Sequence, residues 1–110
     1  MARRAWADTV ADLRGRQAVP AAQANAELLE RAEATWSSRV EAHTSMHDLL
    51  FTRPGDGYPF QEQVRVAWVD EVFTFTLQAE RGKTVTADRA RAANAGSVLD
   101  AFLVQLVGEP

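Results

Sequence analysis

The feature that most constrains this chain is the alternation between Phe60 and Leu77. Phe60, Val64, Val66 and Trp68 alternate with Gln61, Gln63, Arg65 and Ala67; Phe73, Phe75 and Leu77 then alternate with Thr74, Thr76 and Gln78. A period of two sends successive side chains to opposite faces of a strand. A two-residue turn at Asp70-Glu71 sets Val69 against Val72, Trp68 against Phe73, Val66 against Phe75 and Val64 against Leu77. Every large apolar residue then falls on one face, and Gln63, Arg65, Thr74, Thr76 and Gln78 fall on the other. A slip of one residue would invert the match, so the pattern specifies the register. The turn itself fits less well, because a primed turn favours glycine at its second position. A further hairpin is expected around Arg81-Gly82-Lys83, with a three-residue loop pairing Ala79 with Val85.

A sheet with one apolar face needs a cover, and the flanking segments supply it. Trp6, Val10 and Leu13 share one helical face in a short helix over 2–14. Gly15 and Pro20 break the chain, and Pro20 suits the first turn of a second helix. Leu29, Ala32, Trp36 and Val40 continue one stripe, which predicts a long helix over 20–45. Residues 46–52 read either as more helix or, preferably, as a short strand. The loop Arg53-Pro54-Gly55-Asp56-Gly57-Tyr58-Pro59 leaves no room for regular structure. Thr86, Asp88 or Asn94 can cap a last helix over 88–107, whose stripe of Val98, Leu99, Phe102, Leu103 and Leu106 ends at Gly108. The expectation is a single α+β domain over 1–110. It has a long N-terminal helix, an antiparallel meander of three or four strands over 47–87 with one apolar face, and a C-terminal helix packed on that face.

Composition removes whole classes of function. The chain has no cysteine, so disulfides, thiolate nucleophiles and zinc fingers are out. Its formal net charge of −3 argues against nucleic acid as a partner. No apolar run approaches a membrane span, and no uninterrupted apolar segment follows Arg3 and Arg4 as a secretory signal would require. Twenty alanines, eleven arginines, one lysine and no isoleucine fit a GC-rich bacterial genome. A cytoplasmic location is expected.

The residues offer little for catalysis. His43 and His47 are the only histidines, spaced i, i+4 with Asp48 adjacent. On a helix these three could hold a divalent metal, although Thr44 stands where a metalloprotease needs glutamate. Ser37, Ser38, Ser45 and Ser97 lie in no nucleophile elbow. Gly55 and Gly57 lack the lysine of a phosphate loop. Arg81, Lys83, Arg89 and Arg91 form a small basic cluster that reads as a solvated face. No cofactor and no catalytic residue is expected.

Two features point to protein contact instead. Val104 and Val107 make the last apolar stripe wider than one sheet requires, so Val104 or the Trp6 stripe is expected to meet a second subunit. The glycine- and proline-rich loop carries Arg53, Tyr58 and Phe60, residue types that anchor interfaces. The order of long helix, antiparallel meander and terminal helix is similar to that of small nucleoid-associated proteins and of acidic secretion chaperones. That likeness of element order implies a dimer. The reading is a small non-enzymatic interaction protein, a homodimer with a possible protein partner. A small-ligand or metal-binding protein using the helix–sheet pocket with His43 and His47 is the alternative.

Overall fold

The computed structural model describes residues 2–55, 62–79 and 83–109, with side chains from Trp6 onward. Tyr58 and Phe60 therefore lie outside the described residues. Three helices and five strands follow in the order α1 (Ala2–Arg14), α2 (Pro20–Trp36), β1 (Glu41–Ser45), β2 (Asp48–Thr52), β3 (Gln63–Val69), β4 (Val72–Ala79), β5 (Lys83–Ala90), α3 (Ala92–Val107). The strands form one antiparallel meander, β1-β2-β3-β4-β5. The fold is α+β, with five strands rather than three or four.

The central hairpin pairs as its alternation requires: Val69 with Val72, Trp68 with Phe73, Val66 with Phe75, Val64 with Leu77. Asp70 and Glu71 both have positive φ, 52° and 67°. That is a primed turn built without glycine, the twist-matching form for a tight hairpin. Ala42, Leu49, Phe51, Val64, Val66, Phe73, Phe75, Leu77 and Ala90 are buried on one face of the sheet. All three helices lie there. Trp6 of α1 meets Phe51 at 5.7 Å between ring centroids, and Phe102 of α3 meets Phe75 at 5.8 Å. Polar bonds fix the helices to one another. The Trp6 indole donates to the Leu29 carbonyl at 3.0 Å, and the Trp36 indole to Asp100 at 2.8 Å. Gln23 Nε2 donates to the carbonyls of Leu13, Arg14 and Arg16, at and just beyond the end of α1. Arg39 does the same for α3, donating to the carbonyls of Val107 and Glu109.

The structure corrects two helix boundaries and one register, and takes the strand reading for residues 48–52. The second helix stops at Trp36, not near 45. Ser37 to Val40 form a turn in which the Arg39 and Val40 N–H groups bond the Trp36 carbonyl. The chain then enters β1, so Val40 is buried by position in the turn rather than as a fourth rung of the helix. Residues 48–52 are a strand, and Met46-His47 is the turn before it. The last helix begins at Ala92, because Thr86 and Asp88 pair with Leu77 and Phe75 in β5 instead of capping. Ala79 pairs with Lys83, not Val85; a bulge opposite Leu77 and Gln78 leaves Val85 59% exposed. An extra residue accommodated by a bulge shifts the register without changing loop length.

Candidate functional site

The proposed metal ligands do not converge. His43 lies in β1, where its Nε2 is 3.0 Å from Thr52 Oγ1. His47 lies in the β1–β2 turn with Nδ1 3.2 Å from Arg16. Asp48 accepts from Arg65 at 2.9 Å. The shared helical face that would have aimed the imidazoles together does not exist, since a strand and a turn replace it. Among the described residues no three histidine or acidic side chains cluster as a metal site would.

The expected interaction residues are also dispersed. Arg53 is ion-paired with Glu62 at 2.6 Å. Trp6 is fully buried, and Val104 and Val107 are half-buried against the core of the same chain. This corrects the argument from stripe width: α3 packs against both the sheet and α2, so it buries a broader arc than a helix on a sheet alone. A second subunit is not required to cover Val104 or Trp6.

Three other features stand out. The β1–β2 turn carries Met46, 81% exposed and at φ 58°, a left-handed conformation unusual for a long side chain. Arg16 donates to the Met46 carbonyl, and Asn25 Nδ2 to the His47 carbonyl at 2.8 Å. The turn is thus clamped from α2 and from the segment after α1. Asn25 Oδ1 is buried and has no hydrogen-bond partner among the described residues.

The second feature is the sheet's other face. It carries Glu41, His43, Ser45, Asp48, Leu50 and Thr52 on β1 and β2, then Gln63, Arg65, Ala67, Thr74, Thr76 and Gln78 on β3 and β4, and Ala87 and Arg89 on β5. No helix covers it among the described residues. Only Leu50 and Thr52 there are buried. Asp48 and Arg65 neutralise each other. The remaining full charges outside the histidine are Glu41 on β1 and Arg89 on β5, at opposite edges and in no ion pair among the described residues.

The third is a half-open pocket of about 220 Å³ where α2, the β3–β4 turn and the first turn of α3 meet. Its walls are Leu28, Trp68, Phe73 and three alanines, Ala24, Ala92 and Ala95, with Glu27, Arg31 and Glu71 at the lip. This helix–sheet pocket lies away from His43 and His47. A helix–sheet pocket is expected beside His43 and His47; its actual lining is not legible in the sequence, because it is made by small residues in three distant segments, and missing bulk has no periodicity. No protein-family model matches the chain, and comparison with curated proteins and with solved structures finds no match. The likeness of element order drawn above therefore gains no support from a solved fold.

Proposed function

We propose that this is a non-enzymatic bacterial protein of the cytoplasm that acts through protein–protein contact, and that its working form is a homodimer joined by the open sheet face. One observation carries the reading: among the described residues the five-stranded sheet has helices on one side only, and its other side is almost free of unpaired charge. Exposed sheet faces are ordinarily solvated by charged side chains. With Arg65 at the centre already neutralised by Asp48, the face around it is short of unpaired charge, as an interface core is.

Charge favours a second copy. Five strands of five to eight residues at about 4.8 Å spacing present a face of about 400–500 Å² in projection, the low end for a specific contact. A standard interface takes about 800 Å² from each partner. A twofold axis parallel to the strands lays β1 of one copy over β5 of the other. Arg89 then lies level with Ser45 and Asp48 of the other copy, twice over, as an isologous contact requires, while Glu41 lies toward the other end of the strands. Ala67→Arg tests it. Ala67 is half-buried in the central strand, so the long side chain has room in a free monomer, while the dimer would bring two new cations together. Loss of dimer with the folded circular-dichroism spectrum retained supports the proposal. A dimer that survives Ala67→Arg contradicts it.

A further inference from the structure

We infer that the pocket between α2, the β3–β4 turn and α3 is a binding site for a small amphiphilic amine: an apolar body of one ring or a short branched chain, carrying one ammonium group. The space is of the right order, since apolar cavities of about 150 Å³ hold benzene, and this one measures about 220 Å³. Three alanines create it. Ala24 on α2 and Ala92 and Ala95 on α3 stand where larger side chains would close the gap over Trp68 and Phe73.

Two groups at this pocket have partners waiting to be supplied. The other tryptophans both have their indole N–H bonded, Trp6 to Leu29 and Trp36 to Asp100. Trp68, which lines the pocket, has no such bond among the described residues. At the lip, Arg31 is already committed to Glu27 at 2.9 Å and to the Ala92 carbonyl at 3.3 Å. Glu71 makes no ion pair or side-chain hydrogen bond among the described residues. The lip is therefore negative by one charge. The N-terminus of α3 offsets at most about half of it. A cation is the charge this lip accepts, and an ammonium near the face of Trp68 gains a cation–π term as well.

Backbone strain supports the same residue. Glu71 has φ 67° at a turn position that glycine or asparagine would fill at lower cost. Strain of this kind persists where a side chain is needed for something other than folding. The site is independent of the sheet-face dimer, since it lies on the helix-covered side.

The probe is 2-phenylethylamine, with 3-phenylpropionate as its anionic counterpart, followed by tryptophan fluorescence and by amide shifts of Trp68, Glu71 and Ala95. The amine is expected to saturate with a Kd of about 0.1–1 mM, the range open to about nine heavy atoms. The carboxylate should bind about tenfold more weakly, and Glu71→Gln should weaken the amine about threefold. Filling the pocket with Ala24→Leu should abolish binding; Ala95→Val serves if the first variant fails to fold. Glu71→Gly separates binding from folding, since it should raise the melting temperature while weakening the amine. Carboxylate binding as tight as amine binding would overturn the assignment, as would an amine response unchanged by the filled pocket or the absence of saturation at 10 mM.

Discussion

Replacing Glu71 by glycine should make the protein more stable. Asp70 and Glu71 occupy both central positions of the β3–β4 turn with φ of 52° and 67°. An ordinary side chain in that left-handed region costs about 1–2 kcal/mol per residue, because Cβ crowds the following carbonyl. Glycine removes the clash and returns about 0.5–1 kcal/mol through the greater freedom of its unfolded chain. The net gain is about 0.5–1 kcal/mol. For a domain near this size that raises the melting temperature by about 2–5 °C. Scanning calorimetry of Glu71→Gly, Glu71→Asn and Glu71→Ala reads it. Glycine and asparagine should stabilise, the second by less. Alanine should not, since it removes the charge and keeps the Cβ. Equal stabilisation by alanine would place the effect in electrostatics, and a fall in melting temperature with glycine would refute the strain argument outright.

Two further outcomes test the core and the clamp on the first hairpin. Phe75→Ala should cost about 3–5 kcal/mol in denaturant unfolding, because Phe75 is fully buried between Phe73 and Phe102; a loss below about 1 kcal/mol would mean that α3 does not rest on this strand. Asn25→Ala should cost about 1–2 kcal/mol by stranding the His47 carbonyl. Hydrogen exchange should then accelerate at Met46 and His47 before it does at β3, and uniform acceleration would contradict a local clamp.

The central hairpin was legible because each of its strands has one face entirely covered and the other open, so burial and sequence alternate together. The outer strands lack that contrast. In β1 only Ala42 is buried, and its neighbours His43, Thr44 and Ser45 are polar on both faces. In β5 only Ala90 is buried, so Thr86 and Asp88 look like caps. Val40 follows Trp36 by four residues and continues a helical stripe in sequence, although the chain has already turned. A buried residue in a turn and one on a helix face obey the same spacing there, and tertiary pairing with β2 decides between them. The width of the α3 stripe points to a second subunit only if α3 packs on a sheet alone, and α2 takes up the extra width. The pocket left no mark in the sequence, because Ala24, Ala92 and Ala95 look like ordinary helix formers.

Sedimentation equilibrium of the whole chain from 1 to 100 µM, beside Ala67→Arg at the same concentrations, tests the open-face dimer most directly. The monomer mass is 12.1 kDa. The account predicts twice that mass for the natural chain and the monomer mass for the variant, with the variant's folded circular-dichroism spectrum unchanged. A natural chain that stays monomeric throughout, or a variant that remains dimeric, would contradict it.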